Sequence, residues 1–247
     1  MADVVLITGA GTGIGRATAI RYAREGAPLI LVGRRVALLR QVCDDVSSNG
    51  VEALPVPADL ADPAAASQTV QMALARFGRI DVLVNNMGVA GEARLVHETP
   101  DTLWEEMLQV NLLGTIRLIR AVLPHFVGRR RGLIVNVSSM AALVGMPGLA
   151  AYSVAKSGLL ALTRSVAVEY GGWGIRCNCL CPGTVATPMT EGFLSKPGRR
   201  LDAETGTVLG RIATPEEMAE VVFFLGSDRS SFITGAVLSA DGGYTAR

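Results

Sequence analysis

Short apolar runs alternate with helix-like stretches along all 247 residues, and that alternation limits the fold more than any other feature of the chain. Residues 4–8 read as a first strand and residues 14–24 as the helix after it. Residues 29–32 form a second strand, followed by a helix over 36–48 that Asn49-Gly50 closes. A third strand, 53–57, leads to Asp62-Pro63, a capping residue followed by a proline suited to the first helical position, and that helix runs to about Phe77. Residues 80–84 and 133–137 are the fourth and fifth strands. Between them a long helical region follows Pro100 and passes through Asn111 to about Phe126. A helix over 151–170, a strand over 175–180, a helix opened by Pro215-Glu216-Glu217 and a last strand over 236–239 complete the pattern. Strand and helix in strict alternation give a mostly parallel sheet with helices on both faces. The strands are continuous apolar runs, as strands covered on both faces should be. No linker or repeat divides residues 1–247, so one domain is expected. The least regular stretch, 184–211, is rich in Thr, Gly and charge and reads as a mobile lid.

Composition narrows the function. Hydrophobic residues make up 49%, aromatics only 5%, and there are 28 glycines, which suits an Ala/Val/Leu/Ile core with close helix–sheet contacts. The net charge is +1, and the one basic cluster, Arg129-Arg130-Arg131, falls at an expected helix end. That is too little cationic surface for a nucleic-acid partner. The N-terminus shows no basic segment followed by an apolar one, and no run of about 18 apolar residues occurs. The most apolar candidate, 140–152, is broken by Gly145, Pro147 and Gly148. A cytoplasmic protein without a membrane partner is expected. Cys177, Cys179 and Cys181 alternate on one strand, a spacing that puts all three thiols on one face as small hydrophobes and does not suit zinc. No metal site is expected.

The first strand runs into Thr8-Gly9-Ala10-Gly11-Thr12-Gly13-Ile14-Gly15 and then a helix. Glycines between a strand and a helix let the backbone approach a pyrophosphate, and the helix start offers free N–H groups and a positive dipole end. The spacing Gly9-x-x-x-Gly13-x-Gly15 resembles the cofactor motif of the short-chain dehydrogenase/reductase family. Further motifs carry the resemblance along essentially the whole chain. They are Asn85-Asn86-Met87-Gly88, where the family usually has alanine in the third place, Tyr152-x-x-x-Lys156, Pro182-Gly183 with Thr187-Pro188-Met189, and Asp241-Gly242-Gly243.

The resemblance implies a single-domain, doubly wound Rossmann-type α/β sheet of about seven strands that binds a nicotinamide dinucleotide and moves a hydride to or from a carbonyl carbon. Gly9, Thr12, Gly13, Ile14 and Gly15 would cradle the pyrophosphate. Asp59 and Leu60 would lie at the adenine, and Asn86 and Gly88 along the dinucleotide. Pro182, Gly183, Val185 and Thr187 would close over the nicotinamide. Asp59 reads equally well as a simple cap. Where an acidic residue would select NAD(H), the second strand ends in Gly33-Arg34-Arg35. Two guanidinium groups suit a 2′-phosphate and favour NADP(H), with NAD(H) as the alternative.

Tyr152 and Lys156 are one helical turn apart, and Ser138-Ser139 end the fifth strand at the sheet edge where ligands bind. With Asn111 they resemble the family's catalytic tetrad, Asn111, Ser139, Tyr152 and Lys156. Ser139 is chosen over Ser138 because it lies thirteen residues before Tyr152. Ser139 would donate to the substrate oxygen, Tyr152 exchange the proton, and Lys156 hold the ribose hydroxyls. Asn111 would hold a water linking Lys156 to solvent. A tyrosine ordinarily ionises near pH 10, and bringing it to roughly 7 requires about 4 kcal/mol, to which the Lys156 ammonium is expected to contribute. The interval of four residues argues against the enoyl-reductase branch, whose tyrosine stands six before its lysine.

Met140, Val144, Met146, Leu149 and Met189 form an apolar candidate substrate pocket. It suits a small-molecule ketone or secondary alcohol. A 3-oxoacyl thioester of acyl carrier protein and a sugar or polyol also fit the chemistry, and a cofactor-binding regulator without turnover is the non-enzymatic alternative. The family implies a homo-oligomer, by analogy a tetramer.

Overall fold

A computed structural model describes residues 2–48 and 50–246. Asn49, expected to close the second helix, lies outside the described residues. Seven strands, β1 (Val5–Thr8), β2 (Leu29–Gly33), β3 (Ala53–Pro57), β4 (Val82–Asn85), β5 (Gly132–Val137), β6 (Ile175–Pro182) and β7 (Val237–Ala240), form one sheet in the order β3-β2-β1-β4-β5-β6-β7. Every pairing is parallel. The order reverses between β1 and β4, and the crevice at such a reversal, outside the carboxyl ends of the strands, is where doubly wound sheets bind ligands.

Side-chain alternation splits the core into two layers. Val5, Ile7, Leu29, Leu31, Val82, Val84 and Val135 pack against α1 (Gly13–Ala23), α2 (Val36–Ser47) and a late helix described below. Leu6, Ile30, Leu83 and Ile134 face α3 (Ala65–Phe77) and the helices that follow β4. Asp62 caps a turn instead of the helix itself. Its Oδ1 accepts from Ala64 N at 2.9 Å, and α3 starts three residues after it, later than Asp62-Pro63 suggests.

The long helix after Pro100 is three pieces that follow one another without a break. α4 (Asp101–Leu108) and α5 (Gly114–Arg129) flank a π-helical turn, Gln109–Leu113, that carries Asn111. By length and composition the stretch Asp101–Arg129 could cross a membrane. In the fold it is a core helix, with Leu118, Ile119, Val122 and Phe126 buried against the sheet. α6 (Ala150–Tyr170) then lies beside β6.

Residues 184–211, read as irregular, contain α7 (Pro188–Leu194) and α8 (Arg199–Thr205). α7 opens with Thr187 and Thr190 exchanging cap hydrogen bonds ahead of Pro188. This is the same device with which Thr214 and Glu217 open α9 (Pro215–Leu225), the helix that packs on α1.

Candidate active site

Thr8, the last residue of β1, fixes the centre of the crevice. Its Oγ1 accepts from the backbone N–H of Asn86 at 2.9 Å and of Met87 at 3.0 Å. Asn86 Nδ2 donates back to Thr8 O at 3.1 Å. The loop after β4 is thereby clamped to the glycine turn. Gly9 has φ +63°, a conformation that favours glycine. A Cβ on Gly15 would run into the Gly9 carbonyl oxygen and come within 2.6 Å of Asn86 Nδ2. α1 starts at Gly13 with no acidic residue in its first turn and no side-chain cap from Thr12. Its first N–H groups therefore face the crevice uncommitted, with Ile14 and Gly15 among them. This tight glycine cradle and open helix start fit a pyrophosphate.

Across the cleft, Thr187 Cγ2 would lie 3.0 Å from a Cβ on Gly13, so the segment after β6 faces the glycine turn directly. Pro182 and Val185 are buried beneath that segment, and Gly183 is packed so closely on Asp241 that a Cβ would lie 2.8 Å from its Cα. Arg34 and Arg35 follow β2, are exposed, and form no ion pair among the described residues. Asp59 is exposed after β3 and accepts from Ala61 N at 3.0 Å, while Leu60 is buried. Met87 leaves the crevice unobstructed. Its Cε lies 3.0 Å from where a Gly114 Cβ would be, in a recess beside Leu60 that exists because residue 114 has no side chain.

The four catalytic candidates converge at the ends of β4 and β5. Asn111 is fully buried on the π-turn, where its Oδ1 accepts from Val89 N at 2.9 Å and its Nδ2 donates to Val89 O at 3.1 Å. The side chain thus holds the loop after β4. Gly88 sits between Asn111 and Lys156. A Cβ there would lie 2.8 Å from Asn111 Oδ1 and 3.2 Å from Lys156 Nζ. Ser138 Oγ donates to the Lys156 carbonyl at 2.9 Å, pinning α6 to the end of β5. Ser139 is the serine whose hydroxyl acts on the Tyr152 phenol, and its Oγ accepts from Ala141 N at 3.1 Å.

Lys156 Nζ donates to Val137 O at 3.0 Å and stands 5.9 Å from the Tyr152 ring centroid. Burial pushes its pKa down to about 8, with Cys179 and Cys181 pulling the other way. Burial likewise raises the Tyr152 phenol above its ordinary value, against the lowering effect of the Ser139 hydrogen bond. Desolvation is the largest influence on the phenol, and the Lys156 ammonium beside it is turned onto a backbone carbonyl.

The apolar pocket is only partly as expected. Leu149 lines a cleft with Tyr152, together with Ala90, Glu92, Leu103 and Met107, none of which the sequence singled out. Met140 is buried, Val144 and Met146 are half-buried on the loop between Ser139 and Tyr152, and Met189 is half-exposed on α7. Cys177, Cys179 and Cys181 are all fully buried, and no metal-binding cluster occurs among the described residues.

Residues 9–245 match a family model described as enoyl-(acyl carrier protein) reductase. The chain is 38% identical to 2-(R)-hydroxypropyl-CoM dehydrogenase of Xanthobacter autotrophicus, over 100% of both chains. It is also 38% identical to the 3-oxoacyl-[acyl-carrier-protein] reductase of Thermotoga maritima, over 97% of this chain and 96% of that one. Among solved structures, levodione reductase superposes with a TM-score of 0.95 at 36% identity, covering 100% of this chain and 98% of that chain.

Gly15→Ala should weaken binding of a reduced nicotinamide dinucleotide by roughly tenfold or more, about 1.4 kcal/mol, in a fluorescence titration. Wild-type affinity in that variant would show that the cradle is not where the dinucleotide sits.

Proposed function

The chain belongs to the short-chain dehydrogenase/reductase family, oxidoreductases that act on CH–OH and C=O groups, and from that premise we propose that it is an NADPH-dependent reductase of apolar ketones. The observation that carries this reading is the Ser139–Tyr152–Lys156 arrangement at the crevice between β1 and β4. A bound reduced nicotinamide would supply the hydride. Tyr152 gives its hydroxyl proton to the carbonyl oxygen as negative charge develops there, and Ser139 steadies that oxygen with a hydrogen bond. Lys156 keeps a positive charge beside the phenolate that this step leaves and would hold the ribose hydroxyls of the cofactor, while Asn111 fixes the loop that carries Gly88. Burial keeps the phenol protonated, and the protonated phenol is the form that carbonyl reduction consumes.

Arg34 and Arg35 support NADP(H). They are exposed cations just past β2, where guanidinium groups would fork onto a 2′-phosphate. Leu149, Met146 and Val144 support an apolar ketone over a sugar. The Thermotoga maritima relative supports a 3-oxoacyl thioester as the second candidate substrate, since its carbonyl would meet the same three side chains. The four-residue interval between Tyr152 and Lys156 weighs against an enoyl thioester. A complete tetrad weighs against a regulator without turnover. The reading includes a cytoplasmic homotetramer. Phe232, fully exposed, and Val168, 85% exposed, are apolar surface that subunits would cover. Residues 184–211 would move as a lid over bound substrate.

Tyr152→Phe should lower kcat for ketone reduction by about 10²–10⁴ while leaving NADPH affinity intact, as measured by steady-state kinetics and fluorescence titration. A variant within a few-fold of wild type would remove Tyr152 from the proton transfer. Arg34→Asp should shift the NADPH-to-NADH ratio of kcat/KM towards NADH by roughly tenfold or more, about 1.4 kcal/mol. An unchanged ratio would mean that the end of β2 does not read the phosphate.

A further inference from the structure

The last residues of the chain do more than end the sheet. Asp241, just past β7, packs on Gly183, and Gly242 O accepts from Val208 N at 2.8 Å and Leu209 N at 3.1 Å. The Asp241 carboxylate accepts from Gly243 N, Thr245 N and Thr245 Oγ1, folding the tail into a tight turn. That turn delivers Tyr244 between the end of α8 and the loop that runs from Ser139 to Tyr152. On one side the half-buried ring covers Gly206 at the end of α8, so closely that a Cβ on Gly206 would lie 3.1 Å from Tyr244 Cε2. On the other, the hydroxyl reaches Met146 Sδ at 3.8 Å, on the loop between Ser139 and Tyr152. Asp241, Gly242 and Tyr244 therefore tie together the segment after β6, residues 206–209 and the loop between Ser139 and Tyr152.

The hydroxyl's partner is weak. A thioether sulfur is a poor acceptor, and at that distance it holds the O–H loosely. Val144 and Leu149, on the same loop as Met146, carry no side-chain acceptor either. A substrate oxygen near Met146 would take the O–H from sulfur and form an ordinary O–H···O bond in largely apolar surroundings.

We propose that Tyr244 is a specificity residue of this site, its hydroxyl selecting ketones that carry a second oxygen function, carbonyl or hydroxyl, away from the reacting carbon. The inference rests on the carbonyl-reductase reading and adds a substrate class to it. Tyr244 does not exchange the proton. It binds the far end of the substrate while its ring keeps α8 seated against the loop that leads to Tyr152.

The test compares kcat/KM with NADPH for cyclohexanone, 1,2-cyclohexanedione, 1,4-cyclohexanedione and 4-hydroxycyclohexanone in wild type and in Tyr244→Phe. Phe preserves the ring on Gly206 and removes only the O–H. Wild type should favour at least one of the three dioxygenated compounds over cyclohexanone by about fivefold or more, the scale of one net hydrogen bond. Tyr244→Phe should erase that preference, mainly through KM, with NADPH affinity retained in a fluorescence titration. No preference in wild type overturns the proposal, as does a preference that survives in Tyr244→Phe. A loss of equal size on all four compounds, the mark of a merely structural role, also overturns it. A wild-type protein that reduces no carbonyl compound at all, including a 3-oxoacyl thioester, overturns the reductase reading and this inference with it.

Discussion

An ammonium group buried with no carboxylate beside it among the described residues is the constraint around which this molecule is arranged. Lys156 is 3% exposed, and its Nζ bond is to the Val137 carbonyl. Its pKa falls from 10.5 to about 8 on burial, a cost to folding of about 3 kcal/mol at neutral pH. The unfolded chain binds that proton more tightly, so the cost is fully present below pH 8 and is relieved as the pH rises towards 10.5. Neighbouring structure holds the charge in place. Ser138 fastens the Lys156 carbonyl to β5, and Asn136 Nδ2 donates to Thr163 Oγ1 at 2.8 Å one layer deeper. Asn85 Nδ2 donates to Asn136 Oδ1 at 2.9 Å, so the ends of β4 and β5 and the middle of α6 share one chain of buried polar contacts.

From that arrangement the chemistry follows in one direction. A phenol raised by burial rests in its protonated form, the form that carries the proton carbonyl reduction needs. Gly88 allows the loop after β4 to pass between Asn111 and Lys156, and the π-turn at Gln109–Leu113 points the Asn111 amide at Val89 to hold that loop. Single π-turns within α-helices recur at functional sites, because the extra residue re-aims a side chain that regular winding would send elsewhere. Here that side chain is Asn111, and the helix on either side of it is ordinary core.

The sheet and the glycine cradle were legible because both are written locally. Apolar runs four to eight residues long mark strands wherever they occur, and Gly9, Gly13 and Gly15 sit between a strand and a helix. Tyr152 and Lys156 were legible for the same reason, as a four-residue spacing needs only a helix to bring them onto one face. What escaped the sequence depends on distant partners. The π-turn has the composition of the helices it joins. Met87 finds its recess at Gly114, twenty-seven residues on. The balance of burial and charge at Tyr152 is a sum over the whole fold, and the local spacing suggested only its attractive part. Tyr244 reaches Met146 across 98 positions of sequence. α7 is a different case: Thr187-Pro188 carries the same opening signal as Thr214-Pro215, masked by the polar stretch around it.

The pH dependence of kcat/KM for ketone reduction at saturating NADPH tests the buried ammonium most directly. Tyr152 stays protonated across the range, and Lys156 is charged below pH 8 and neutral above it. The rate should be level from about pH 6 and fall with a midpoint near pH 8 as Lys156 loses its proton. A rate that stays flat to pH 10, or that climbs through this range, would contradict the account.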